Sequence, residues 1–213
     1  MRERPRVKIC GITRSEDALL AANLGADLLG LNFHPGSPRC VSVAQGRQIV
    51  SELGEERGSC LVAGVFVDQS VAEVERIRDA AGLDLVQLHG DYSASDVERL
   101  GDGVIQVVRP RRALRTELAC TVDGAWALLV DRYDPYLAGG TGFAWEERRL
   151  VEMSRALEGR RWLLAGGVRP ENVARTLKLS EAWGIDVCSG VEAQPGRKSE
   201  RLMRALFAEI ENG

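Results

Sequence analysis

Short apolar runs alternate along this chain with longer stretches in which apolar residues recur every three or four positions. The first run is Val7-Lys8-Ile9-Cys10-Gly11-Ile12. Successive side chains of a strand point to opposite faces, so Lys8 and Cys10 share one face and Val7 and Ile9 the other. Seven later runs follow the same plan, at residues 28–33, 61–67, 84–89, 104–108, 126–131, 162–165 and 185–188. Helix signals lie between them. Ser15-Glu16-Asp17 reads as a cap with acids in the first turn, Ala18, Ala21 and Ala22 form a face, and Gly25 is the stop. A helix is expected at 43–53. Ser70-x-x-Glu73 reads as a capping box opening a helix with Val71, Val74, Ile77 and Ala81 on one side and Gly82 at its end. Further helices are expected at 93–100, 113–120 and 145–157, then after the first-turn proline Pro170. In the last one Leu202, Leu206, Phe207 and Ile210 share a side.

Eight strand–helix units with nearly continuous apolar strands indicate a parallel sheet covered by helices. Closure into a single-domain (β/α)8 barrel of the TIM type explains the count better than an open doubly wound sheet. No linker or low-complexity tract divides the chain. The parity that turns Lys8 and Cys10 inward also turns Asn32, Gln87, His89, Gln106, Asp131, Asp186 and Cys188 inward. An unpaired buried lysine is strongly disfavoured, so Lys8 is expected to pair with a carboxylate inside the barrel.

Charge narrows the partners. Lys and Arg number 28 against 31 Asp and Glu, a net charge of -3, and the pI is near 5.6. Neither sign dominates, which argues against generic nucleic-acid or membrane binding, so an anionic partner must be met locally. There is no apolar run of about 18 residues and no signal-peptide core, because Met1-Arg2-Glu3-Arg4-Pro5-Arg6 leads into the first strand; a cytoplasmic protein is expected. Cys10, Cys40, Cys60, Cys120 and Cys188 form no CxxC and have no histidine pairing, so neither a disulfide framework nor a metal site is expected.

Several stretches can carry chemistry. Ala165-Gly166-Gly167 and Ser189-Gly190-Val191 follow strands seven and eight, where backbone amides hold phosphate in barrels of this kind. The alternative is a pair of tight turns that need positive φ. Arg39, on the loop after strand two, either clamps a carboxylate with two parallel hydrogen bonds or is a solvated surface arginine. Cys10 and Asp131 end strands one and six and meet across the barrel mouth, a thiolate base facing a carboxylic acid. Lys8 nearby would lower the thiol from its usual pKa of about 8.5. Taken alone, Cys10 reads as a buried structural thiol, and so do the other four cysteines. His89 reads as a hydrogen-bonded wall residue, and Asp186 either touches substrate hydroxyls or partners Lys8. Trp126, Trp145, Trp162 and Trp183 read as core or helix–sheet packing.

A set of fragments then stands in order: Lys8-Ile9-Cys10-Gly11-Ile12, Gly25-Ala26-Asp27, Ser37-Pro38-Arg39, Gln87-Leu88-His89-Gly90, Gly139-Gly140-Thr141-Gly142, Ala165-Gly166-Gly167 and Asp186-Val187-Cys188-Ser189-Gly190-Val191-Glu192. Together they resemble the phosphoribosylanthranilate isomerase family of tryptophan biosynthesis, from Lys8 to about Lys198. The resemblance implies an Amadori rearrangement of N-(5-phosphoribosyl)anthranilate to its 1-deoxyribulose isomer, without a redox or metal cofactor. The small-molecule partner implied is thus a phosphorylated aminosugar.

By the matching positions, Asp131 is the general acid that opens the sugar to a Schiff base, and Cys10 the base that takes the C2' proton. Arg39 holds the anthranilate carboxylate, and the amides around Gly166, Gly167, Ser189 and Gly190 hold the phosphate. Gly140 and Gly142 contact substrate from a lid at 139–142, and Asp186 counts among the substrate-binding residues. A monomer or a homodimer is expected. The sequence departs from the family where Phe143-Ala144-Trp145 follows the glycine loop at once, without the usual aspartate. Cys188 also stands where serine is common, and Cys40 where an aromatic residue is common. The rival readings are another phosphosugar aldose–ketose isomerase on the same barrel and a catalytically silent barrel that serves as a binding partner.

Overall fold

The computed structural model describes residues 4–110, 121, 124–132 and 145–213. Eight strands close on themselves in sequence order. They are β1 Arg6–Cys10, β2 Leu28–Asn32, β3 Leu61–Val67, β4 Leu85–His89, β5 Val104–Val108, β6 Ala127–Val130, β7 Trp162–Leu164 and β8 Gly184–Val187. All neighbours pair in parallel, and β8 closes the ring by pairing Asp186 with Lys8 on β1. The described helices are α1 Ser15–Asn23, α2 Val43–Leu53, α3 Val71–Ala81, α4 Ala94–Leu100, α5 Glu147–Ala156, α6 Val173–Ser180 and α7 Glu200–Asn212. The helix expected at 113–120 and the loop at 139–142, with Gly140 and Gly142, lie outside the described residues. No helix among the described residues is long and apolar enough to cross a membrane.

Alternation along each strand builds two cores. Outward residues such as Ile9, Leu29, Phe66 and Leu88 pack under the helices with Val74 and Ile77 of α3 and with Met203, Leu206 and Phe207 of α7. Inward residues Leu28, Ala63, Leu85, Ile105, Leu129 and Leu163 fill the lower barrel. Each such side chain, taken fully out of water, contributes about 1.5–3 kcal/mol of burial free energy. Below them Trp126 and Trp183 meet edge to face at 5.5 Å, with the Arg161 guanidinium over both rings. The polar inward residues run from mid-strand, at Lys8 and Gln87, to the C-terminal ends of the strands.

Four expectations need correction. Gln106 faces outward: it pairs in register with Leu88 and Leu128, both on the helix side, while its neighbours Ile105 and Val107 belong to the inner core. Parity on β5 therefore brings Arg109 inward instead. Ser15 is the first helical residue of α1; Arg14 takes the cap position and no side chain caps it. Complete capping boxes form at Ser42–Gln45 and Ser93–Asp96, whereas Ser70 accepts from the Glu73 amide without a described return bond. Pro170 precedes α6, whose cap is Asn172. After β8 the chain adds a small antiparallel pair, β9 Glu192–Gln194 and β10 Arg197–Lys198, which the apolar pattern does not announce.

Candidate active site

A cavity of about 390 Å³ opens at the C-terminal ends of the strands. Cys10, Arg39, Asp131 and Asp186 all line it, and so do Gly166, Gly167, Ser189 and Gly190. Eight of the ten residues expected from sequence thus converge, and the other two are Gly140 and Gly142.

Cys10 ends β1 and is 9% exposed. Its thiol is lowered from 9.0 to about 7, chiefly by a hydrogen bond from the Cys188 thiol, with the Lys8 and Lys198 ammonium groups assisting against burial and the charge of Asp186. Lys8 lies fully buried beneath it and donates from Nζ to Asp186 Oδ1 at 2.7 Å, the expected ion pair. Burial alone would lower the Lys8 pKa, but Asp186 and Cys10 outweigh it, so the lysine stays charged. Room for this group depends on Gly30 of β2. A Cβ there would stand 2.8 Å from Cys10 Sγ and 3.0 Å from Lys8 Nζ.

Asp131 follows β6, on the other side of the mouth. Burial raises its pKa, the Asp186 charge adds to that, and Arg109 works against it. Arg109 Nε–H donates to Asp131 Oδ2 at 3.2 Å, and the Arg132 amide donates to Oδ1 at 2.8 Å. Arg109 Nη2 also stands 3.0 Å from His89 Nδ1. A guanidinium only donates, so Nδ1 accepts. Burial first, then Arg109 and Lys8, lower the His89 pKa to about 3, so the ring is neutral and its proton sits on Nε2. That nitrogen lies 2.7 Å from the Gln87 side-chain amide. The amide therefore turns its oxygen to His89 and its NH2 to the buried end that has no hydrogen-bond partner among the described residues.

Arg39 is engaged by a carboxylate of this chain. Its Nε–H and Nη2–H donate to Glu192 Oε1 and Oε2 at 2.9 and 2.7 Å. Among the described residues Nη1 makes no hydrogen bond, so the end-on edge of the fork remains available to a second carboxylate. Lys198 completes the cluster: its buried Nζ donates to Glu192 Oε1 at 3.0 Å and to the carbonyls of Cys10 and Cys188 at 2.5 and 3.2 Å. The pKa of Glu192 is lowered although burial opposes it, because Arg39 and Lys198 face it together.

The turn after β7 has the character of an anion cradle. Gly166 and Gly167 take φ of +88° and +73°, which glycine adopts without strain. Among the described residues the amides of Gly166, Gly167 and Val168 make no hydrogen bond, and Val168 is buried. Across from them Ser189–Val191 form a 3-10 turn, and a Cβ on Gly190 would run into the Val168 carbonyl. Close approach of the two turns thus requires glycine there.

Arg109, Glu192 and Lys198 were missed as site residues. The first turns inward through the β5–β6 register, which only the folded structure supplies. Lys198 reaches the site only through the β9–β10 hairpin, for which the sequence offers no pattern.

A closed (β/α)8 barrel with a lowered thiol, a raised carboxyl and a glycine-rich turn around one cavity defines a barrel enzyme of the proton-transfer class. The family model for N-(5'-phosphoribosyl)anthranilate (PRA) isomerase matches residues 7–209. N-(5'-phosphoribosyl)anthranilate isomerase from Chlorobaculum parvum is 43% identical, covering 96% of this chain and 94% of that protein. That from Nitrosococcus oceani is 38% identical, covering 98% of each. Among solved structures, phosphoribosyl anthranilate isomerase from Thermus thermophilus superposes with a TM-score of 0.84 at 40% identity, covering 97% of this chain and 98% of that one. A second phosphoribosyl anthranilate isomerase structure, in complex with reduced 1-(o-carboxyphenylamino)-1-deoxyribulose 5-phosphate, superposes with a TM-score of 0.81 at 30% identity, covering 98% of this chain and 100% of that one. The chain belongs to the N-(5'-phosphoribosyl)anthranilate isomerase family.

Proposed function

We infer that this barrel isomerises N-(5'-phosphoribosyl)anthranilate to 1-(2-carboxyphenylamino)-1-deoxyribulose 5-phosphate, with Asp131 as general acid and Cys10 as general base. The observation that carries this is the opposite tuning of two groups on one cavity: burial raises the Asp131 carboxyl, while the Cys188 thiol and two lysines lower Cys10. An acid shifted toward holding its proton and a base shifted toward releasing its own are what an aldose–ketose isomerisation requires.

Asp131 protonates the ring oxygen of the ribose, the C1'–O bond breaks, and a Schiff base forms between C1' and the anthranilate nitrogen. The Cys10 thiolate then removes the C2' proton, giving an enolamine that tautomerises to the ketone. Lys8 keeps the thiolate charge-compensated through this step. The amides of Gly166, Gly167 and Val168, with Ser189 and Gly190 opposite, hold the phosphate. Arg39, steadied by Glu192, presents its end-on edge to the anthranilate carboxylate, and Asp186, occupied with Lys8 through Oδ1, offers its other oxygen to a sugar hydroxyl. By the family resemblance Gly140 and Gly142 also count among the substrate-binding residues.

Every described residue in this scheme comes from one chain, so a monomer or a homodimer would serve equally. The reading is tested by making the substrate in situ from anthranilate and phosphoribosyl pyrophosphate with a phosphoribosyltransferase. Adding this protein should abolish the substrate's fluorescence; unchanged fluorescence would overturn the reading, and turnover of a histidine-pathway aminoaldose instead would favour the rival isomerase.

A further inference from the structure

Cys188 holds a place in the site for which the isomerisation needs no sulfur. It follows β8 and lies one step past the paired residues Ile9 and Val187, beside Cys10 on the neighbouring strand. Adjacent strands stand about 4.8 Å apart, within the Cα separation of about 4.4–6.8 Å that a disulfide spans. Both side chains face the barrel interior and line the same cavity. Both thiols are free.

We propose that Cys10 and Cys188 form a peroxide-responsive dithiol, a modification site at which hydrogen peroxide closes a disulfide and withdraws the Cys10 sulfur from substrate. Cys10 is the attacking group because it is the more acidic member of the pair and lies beside the Lys8 ammonium, whereas Cys188 keeps its proton. The Cys10 thiolate attacks one peroxide oxygen: an S–O bond forms, the O–O bond breaks, and the second oxygen leaves as hydroxide, taking a proton from solvent. Cys188 sulfur then attacks Cys10 sulfur; the S–S bond forms, the S–O bond breaks, and the departing hydroxide takes the Cys188 proton. Two thiols have lost two electrons and two protons, and one peroxide has become two waters. Cys60 is excluded as a rival partner, since it is packed under the helices and burial pushes its thiol up to about 12.

Formation of the disulfide depends only on the two thiols, whereas its effect on turnover rests on the reading of Cys10 as the base. Mass and rate therefore test them separately. The reduced full-length chain is treated with hydrogen peroxide, quenched, and divided between intact mass, tryptic mapping and the fluorescence assay. The wild type should lose the mass of two hydrogens, yield the linked peptides 9–14 and 179–197, lose about 100-fold in rate, and recover both in dithiothreitol. Cys188→Ser, compared with its own untreated rate, should instead gain oxygen atoms on Cys10 and recover less. Wild-type protein that gains oxygen on Cys10 without the linked pair, or that links Cys10 to another cysteine, overturns the proposal. A linked pair formed at full turnover refutes Cys10 as the base and leaves the dithiol standing.

Discussion

Arg109 Nε–H donates to Asp131 Oδ2 at 3.2 Å, a contact that ties the ends of two neighbouring strands and holds the carboxyl at a fixed point on the cavity wall. Burial and Arg109 pull the carboxyl's pKa in opposite directions, and burial prevails. Asp131→Asn keeps the shape and removes the proton. Its kcat should fall by about 10²–10⁴-fold, while affinity for inorganic phosphate stays unchanged. A variant with wild-type kcat would exclude Asp131 as the acid. Arg109→Leu removes the opposing charge, so the carboxyl should hold its proton to higher pH and the basic limb of the kcat/KM profile should move up.

The base is tuned by its neighbours in the same way. Cys10 acts without its proton, so the acidic limb of kcat/KM should rise through about pH 7. Cys188→Ala deletes the largest stabiliser of the thiolate, and the alkylation of Cys10 by iodoacetamide should then titrate at higher pH, toward 9.0. An unchanged titration would show that Lys8 and Lys198 set the value without Cys188. Cys10→Ser should lower kcat by about 100-fold or more; a smaller loss would point to a different base.

Most of this arrangement was legible in the chain because barrel geometry turns a one-dimensional pattern into a ring. Lys8, Asp186, Cys10 and Asp131 could be placed from strand parity, since each stands at an alternate position within or at the end of an apolar run. Gln106 failed because β5 offers only branched apolar neighbours and no polar residue to set its phase; the phase came from pairing with β6, which is tertiary information. Glu192 and Lys198 were illegible for another reason. Their hairpin is held by Lys198 reaching the carbonyls of Cys10 and Cys188, a contact across 188 residues in the first case and ten in the second. The Arg39–Glu192 fork spans 153 residues and likewise leaves no local trace.

The Lys8–Asp186 pair makes a prediction about stability. Lys8 is fully buried and Asp186 is 9% exposed, so Asp186→Asn leaves an ammonium in the barrel without its counter-charge. Removing one partner of a buried pair costs about 3–5 kcal/mol, which urea unfolding should register as a lower midpoint at unchanged slope. The double variant Lys8→Met with Asp186→Leu should recover most of that loss. If the single variant unfolds at the wild-type midpoint, water reaches Lys8 and the interior is not dry there.

The chain Arg109–His89–Gln87 yields a prediction that isotope-edited NMR can decide. Arg109 can only donate, so His89 carries its proton on Nε2 and the Gln87 amide presents its oxygen to it. The imidazole nitrogens should show the Nε2–H tautomer throughout neutral pH, and the ring should stay neutral until about pH 3. In the unfolded chain the same ring takes a proton near 6.5. Between those values the unfolded state binds more protons, so His89 makes the fold lose stability as pH falls from 6.5 toward 3, and His89→Gln should flatten that part of the profile. The same logic leaves the Gln87 NH2 at the buried end of the side chain, without a partner among the described residues. An Nδ1–H tautomer would reverse the amide and leave an acceptor there instead.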